Sequence, residues 1–324
     1  VDAAGHLARR EFSTVLEPMS RADIGNEYPS QVARDNPLIG KGAQPSMVSA
    51  TDRNLVRRAA HGIGWWAYLL RWAAPLLILA GLLVAWELWT QLGDVPKWQL
   101  PAPSVIAQEL VESRGLLWEH TQVTLLEVVL GMVAALLVGL FLASVIAYSR
   151  IVERSVYPII IASQTIPIIA IAPLLLIWVG YGIAPKIIVV ALISFFPISV
   201  NTVDGLRSVD PDMVNMMRTL GASRWQIFTK LQVPSALPQM FSGIKIGITV
   251  SVIGAVIGEW VGASSGLGYL MTYSQPLFLT ARVFAAIVVL SALGIGLFVL
   301  ATLVERMVLP WYHTEKRARS MERI

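Results

Sequence analysis

Residues that could carry chemistry are few in this 324-residue chain and stand far apart. Two carboxylates, Glu127 and Glu259, fall within long apolar runs, and so do Gln164 and Thr165, which are flanked by Pro158, Pro167 and Pro173. The four histidines, His6, His61, His120 and His313, are read as lying outside those runs. With no His-x-x-x-His pair and no cysteine, neither a metal site nor a thiol nucleophile is legible. No Gly-x-x-x-x-Gly-Lys occurs, so the chain offers no nucleotide cradle of the Walker type. The sequence therefore reads as a non-enzyme without cofactor or metal, and any ATP hydrolysis must come from another chain.

The polar residues within apolar runs suit passage of a solute better than turnover. Proline inside a spanning helix frees backbone carbonyls, which only protein or a water-filled cavity can satisfy. Gln164, Thr165 and Pro167 are accordingly expected on a translocation path, as are Ser199 and Asn201 further along. The alternative for each is a hydrogen bond that holds neighbouring helices together. Glu259 lies 14 residues beyond Lys245, roughly 21 Å along a helix. It is expected toward the outer end of its span, facing the path or the interfacial water, with Glu127 a weaker counterpart. An acidic group there disfavours an anionic solute at that point and fits a neutral or cationic solute, or a gating role. The glycine-rich stretch Gly262 to Tyr269 reads as a short re-entrant or surface helix capping the outer mouth.

The elements that position these residues follow from composition. Hydrophobic residues make up 55% of the chain and charged residues 14%, with mean hydropathy +0.64, whereas soluble domains average about 25% charged. Six apolar runs, at about 72–92, 123–147, 157–180, 184–203, 241–261 and 283–304, each approach the roughly 20 residues needed to cross hydrocarbon. None alternates with period two, so the pattern is not that of a β-barrel. The net charge of +4 sits mostly in loops between the runs and reads as membrane topology, not as a nucleic-acid face. Counted from Arg53 onward, sixteen Lys and Arg fall on the side that holds both termini and four (Lys97, Arg114, Lys186 and Arg282) on the other. That bias predicts six helices with both termini cytoplasmic. Residues 1–60 read as a polar, disordered tail, 61–312 as the transmembrane domain and 313–324 as a basic tail. No signal-peptide pattern opens the chain.

The connection between the fourth and fifth runs is too ordered for a linker. Asp210-Pro211 starts a helix, and Met213, Met216, Met217 and Leu220 form one apolar stripe at helical spacing, beside Asn215. Gly221-Ala222 ends that helix, and Ser223 to Gln226 opens a second in the pattern of a capping box. Trp225, Phe228 and Leu231 make its apolar side, and Pro234 and Pro238 are expected to break it before the next span. Such a rigid, apolar two-helix element suits a groove on a partner protein. A hairpin lying flat on the inner leaflet is the alternative.

Gly221, nine residues, then Leu231-x-Val233-Pro234 resembles the Gly-x9-Ile-x-Leu-Pro signature of permease subunits of binding-protein-dependent ABC importers. The signature normally begins Glu-Ala-Ala, where this chain has Asn215-Met216-Met217 and so lacks the acidic side chain expected to help position the element. The stretches 164–182, 195–238 and 252–270 are similar to permeases of the nitrate, sulfonate, taurine and thiamine-precursor branch, and the resemblance spans about 70–312. It implies the type I importer fold, a cytoplasmic ATPase in two copies docked on the 210–233 element, a second copy of this chain and an extracytoplasmic solute-binding protein. It leaves the solute open between nitrate, sulfonate or taurine and a pyrimidine- or riboflavin-type vitamin precursor. The rival reading is a secondary transporter driven by an ion gradient, which predicts paired intramembrane carboxylates or a charged relay, and an inverted repeat.

Overall fold

The computed structural model describes residues 64–312, so both tails read from the sequence lie outside the described residues. The chain divides into two compact units at Ala74/Pro75. Of the first, only the opening of one helix is described. The second holds all the remaining helices.

Eleven α-helices and no strand occur among the described residues. They are α1 Gly64–Leu92, α2 Pro103–Glu112, α3 Arg114–Tyr148, α4 Arg150–Ser163, α5 Ile168–Val179, α6 Ala184–Arg207, α7 Pro211–Thr219, α8 Arg224–Ile227, α9 Val233–Gly262, α10 Leu267–Ser274 and α11 Thr280–Val308. Five stretches are long and apolar enough to cross a membrane: Ala73–Leu92, Arg114–Tyr148, Ala184–Arg207, Arg224–Gly262 and Thr280–Val308. The sixth run departs from expectation. In place of one helix over 157–180 there are two, α4 and α5, meeting at 98°. Proline at 167 pushes the preceding residue out of helical geometry and supplies no N–H, so the chain turns through Gln164, Thr165 and Ile166 before α5 begins.

The second run also differs, because its helix starts at Arg114, about two turns earlier than the apolar pattern does. This places His120 on α3 and not outside the spans. The first turns of α3 bury only one side, so the hydropathy pattern there is diluted by outward-facing polar residues.

The core forms where α6 packs between α3 and α9. Val128, Met132 and Ala135 of α3 meet Val190 and Ile198 of α6 and Ala255 of α9, all buried. Small residues allow this approach. A Cβ at Gly243 would stand 2.7 Å from the Pro197 carbonyl oxygen, and one at Gly258 would stand 3.2 Å from Lys186 Cα. Outward, Leu76 and Leu82 of α1, Ile169 and Ile177 of α5 and Ile295 and Leu300 of α11 are exposed, as is stable only against hydrocarbon or another apolar surface.

Candidate functional site

Two constructions at opposite ends of α9 are candidates for function. The first is the connection from α6. Asp210 caps α7 through its Oδ1, which accepts from Asp212 N at 2.9 Å. Gly221 ends α7 with φ +78, a conformation costly for other residues, while Ala222 N donates to Met217 O at 3.0 Å. The capping box at α8 is present: Ser223 Oγ accepts from Gln226 N at 3.3 Å, and Gln226 Oε1 accepts from Ser223 N at 2.8 Å. Met216, Leu220 and Trp225 are 51%, 77% and 65% exposed. Trp225 stacks on Phe228 with ring centroids 5.8 Å apart. Asn215 and Pro234 are also exposed, and Met217, Ala222, Phe228 and Leu231 are half-buried.

One expectation fails here. Pro234 and Pro238 do not break the chain before the next span, because α8 continues through a π turn, Phe228–Gln232, directly into α9. Pro234 falls in the first turn of α9, where a missing N–H costs little, and Pro238 removes one hydrogen bond from a long ladder. The stretch from Arg224 to Gly262 is therefore one continuous helical stretch of 39 residues.

The second construction lies where α9 ends and α10 begins. An α-helix leaves its first amides without partners, and here buried side chains of α3 and α9 take all four. His120 Nδ1 accepts from Gly266 N at 2.9 Å, and Thr124 Oγ1 accepts from Leu267 N at 2.9 Å. Glu259 Oε2 accepts from Gly268 N and, at 3.3 Å, from Tyr269 N, while Oε1 accepts from Thr124 Oγ1 at 2.6 Å. The carboxylate thus meets the positive end of a helix. Gly266, at φ +115, and Gly268 both lie so close that a Cβ on either would collide with the Glu259 carboxyl.

Beside it, Glu127 Oε1 accepts from Lys186 Nζ at 2.7 Å. The Glu127 and Glu259 carboxyls are near enough to interact, and Glu127 Oε2 has no hydrogen-bond partner among the described residues. The sequence expected both carboxylates toward the outer ends of their spans, facing the path or interfacial water, and Lys186 among the outer segment charges. Glu259 does lie in the last turn of α9, but the exposure is corrected, since all three groups are buried together within the helix packing. The corrected signal was partly legible, because His120, Thr124 and Glu127 stand at i, i+4 and i+7 on α3 and share one face.

The expected path residues are not gathered at one place. Gln164, Thr165 and Pro167 are exposed at the α4–α5 break, with Thr165 Oγ1 donating to Ala162 O at 2.7 Å. Ser199 is buried in α6 and its hydroxyl has no partner among the described residues. Asn201 Nδ2 donates to Pro197 O at 2.7 Å, and Glu259 is 1% exposed. Two cavities adjoin Trp260. One, of about 740 Å³, runs along α9 and α11 past Ile253, Leu290 and Phe298. The other, of about 670 Å³, opens beside α10. Neither is lined by any of those six residues.

Residues 135–309 match the family model described as binding-protein-dependent transport system inner membrane component. The chain belongs to this family. The permease is similar to the formylaminopyrimidine transport permease protein ThiX of Halalkalibacterium halodurans, 40% identical over 238 residues that cover 73% of this chain and 95% of that one. It is also similar to the riboflavin transport system permease protein RibX of Chloroflexus aurantiacus, 39% identical over 232 residues that cover 71% and 87%. Its fold is shared with the MetNI methionine ABC transporter in an inward-facing conformation, at TM-score 0.54 and 21% identity over 61% of this chain and 98% of that one. The permease is therefore a multi-span helical component of the inner membrane and one part of an ABC importer. That membership decides against the gradient-driven rival, although the buried Glu127 and Glu259 are the paired carboxylates which that rival required.

Proposed function

We propose that the permease forms the path for a small, flat nutrient of the pyrimidine or riboflavin type, delivered by an external binding protein and driven by a separate ATPase. The observation that carries the mechanism is the exposed apolar element of Met216, Leu220 and Trp225, in which Trp225 stands at the start of the unbroken stretch Arg224–Gly262 that carries Glu259 in its last turn. An ATPase groove closing on this element would tilt α9, and with it α10, which Glu259, Thr124 and His120 bind to α9 and α3. Two copies of the permease, each with one such element, would engage two ATPase subunits, by the symmetry that closed dimers favour. The basic-residue bias supports a cytoplasmic side for both termini and the α7–α8 element. Gln164, Thr165 and Pro167 at the α4–α5 break remain the residues we assign to the path. The solute class is supported by the two relatives whose names carry a pyrimidine and riboflavin.

Co-purification tests the coupling. The native chain retains the ATPase encoded beside it, and a Leu220→Asp, Trp225→Asp form inserts in the membrane yet loses it. Equal retention by both forms would sink the docking assignment. Uptake of radiolabelled hydroxymethylpyrimidine and riboflavin by cells lacking the chain tests the solute: a loss confined to taurine or nitrate uptake rejects it.

A further inference from the structure

The cavity of about 670 Å³ beside α10 has a lining unlike that of its apolar neighbour. Four aromatic rings border it, those of Trp98, Trp260, Phe278 and Phe284, together with the carboxamides of Gln99 and Gln275. Its two hydroxyls are committed: Thr272 Oγ1 donates to Tyr269 O at 2.9 Å, and Thr280 Oγ1 donates to Trp98 O. Neither carboxamide bonds another side chain or the backbone among the described residues. They are the uncommitted donors and acceptors of the wall, and each offers an N–H pair and a carbonyl side by side.

No charged residue lines the cavity. Of the charged residues next to it in sequence, Arg282 is held by Glu109 Oε1 at 2.8 Å, Glu259 is buried against the first turn of α10, and Lys97 is exposed beside Trp98 without lining the cavity. An anion would enter without a countercharge and lose its water to apolar walls. Nitrate and sulfonates are therefore poor occupants.

Phe278 adds an independent sign. Its φ of +58 is unusual for a bulky residue. It is held there by Phe278 N donating to Gln275 O and Leu279 N to Ser274 O, both at 3.1 Å. These two bonds close the left-handed cap that ends the α10 turn, a position glycine usually takes, and here the bulky side chain is 67% exposed. This conformation sets the ring edge-on to Trp98, with centroids 5.9 Å apart, at the rim of the cavity. Strained backbone of this kind gathers where a ligand is held.

We propose that this cavity receives a flat, uncharged heteroaromatic solute, whose faces lie against the aromatic rings and whose ring-edge N–H and C=O groups pair with Gln99 and Gln275. The volume falls within the roughly 300–1,000 Å³ of small-molecule sites, and aromatic walls reward ring stacking. The assignment rests on the proposed import of a pyrimidine- or riboflavin-type nutrient and names the place where that nutrient first meets the permease.

The test uses the permease purified with its ATPase in lipid nanodiscs, without binding protein, dialysed to equilibrium against riboflavin, hydroxymethylpyrimidine, taurine or nitrate. One of the heteroaromatics is retained saturably, and taurine and nitrate are not. Gln275→Leu and Phe278→Gly each weaken that retention by about tenfold or more, the loss expected when a hydrogen bond or a stacked ring is removed. Phe278→Gly suits the native φ, so its loss of retention cannot be assigned to misfolding. Retention of taurine or nitrate, absence of saturable retention, or unchanged retention in both variants overturns the cavity assignment. Uptake by whole cells separates the two readings. If cells import the heteroaromatic and both variants bind and transport as the native chain does, the import reading stands and the cavity assignment falls. If cells import only taurine or nitrate, both fall.

Discussion

Lys186 Nζ lies 2.7 Å from Glu127 Oε1 in the interior of the helix packing, with the two side chains 8% and 0% exposed. The lysine belongs to the first turn of α6 and the glutamate to α3, so the pair fixes those helices in register at the end where α9 turns into α10. Removing one partner leaves a buried charge alone, which costs about 3–5 kcal/mol, whereas an apolar or neutral pair of similar volume costs far less. Lys186→Met is therefore expected to lower the thermal stability of the detergent-purified permease sharply. Lys186→Met with Glu127→Gln should recover most of it. A double change no more stable than Lys186→Met alone would contradict this account.

Glu259 holds α10 through backbone amides. Glu259→Ala leaves the buried N–H groups of Gly268 and Tyr269 unpaired, at about 1–3 kcal/mol each, and strips the helix terminus of its anion. Hydrogen exchange in the 262–275 segment should accelerate by at least tenfold relative to the α6 core. Exchange that stays at the native rate would show that packing of Leu267 and Leu270 holds the helix without the carboxylate.

Glycines in similar sequence settings are expected to differ in tolerance. Gly266→Ala forces a Cβ into the Glu259 carboxyl at φ +115 and should abolish stable insertion. Gly296→Ala meets nothing within 4 Å on α11 and should be neutral or stabilising by up to about 1 kcal/mol, through helix propensity. Membrane yields of the two variants, compared with the native chain, give the answer.

The π turn sets how far α8 stands from α9 along the axis. Deleting Thr229 tightens Phe228–Gln232 to an ordinary α-helical turn, which draws Trp225 about 1.5 Å along the axis toward α9 and changes the direction it faces little, because the π turn fits one extra residue into one turn. The expected result is an ATPase that is retained weakly or hydrolyses ATP without import. Native coupling in the deletion would mean that the π turn is incidental.

Glu109 joins α2 to α11 and responds to pH. Partial burial pushes its carboxyl upward, but the hydrogen bond from Ser113 Oγ at 2.6 Å and the Arg282 guanidinium at 2.8 Å outweigh this and hold it below the ordinary 4.5. A depressed folded-state value means the tie contributes fully above the unfolded value and is lost as pH falls through the folded one. Cross-linking between cysteines placed at Gln108 and Arg282-adjacent Val283 should be unchanged from pH 7 to 5 and fall only below about 4. A fall that begins near neutral pH would point to another group.

Much of this architecture is written in the order of residues. Apolar runs long enough to cross hydrocarbon, the basic-residue bias, the caps at Asp210 and Ser223 and the turn at Gly221 are local features, and local physics reads them. The family resemblance rests on the same short segments. Tertiary structure alone decided three matters. Whether Pro167, Pro234 and Pro238 bend the chain depends on what satisfies the freed carbonyls, so one broke a span at 98° and two did not. Whether Glu127, Glu259 and Lys186 face water or each other depends on which helices meet, because a buried charge is tolerable only beside a partner from elsewhere in the chain, here 59 residues away for the ion pair. And the anchoring of the first turn of α10, which read from its glycines only as a short re-entrant or surface helix at the outer mouth, comes from side chains 143 and 146 residues distant that accept its amides. Periodicity and spacing report how a segment presents its own side chains, while the partners those side chains find are set by packing between segments.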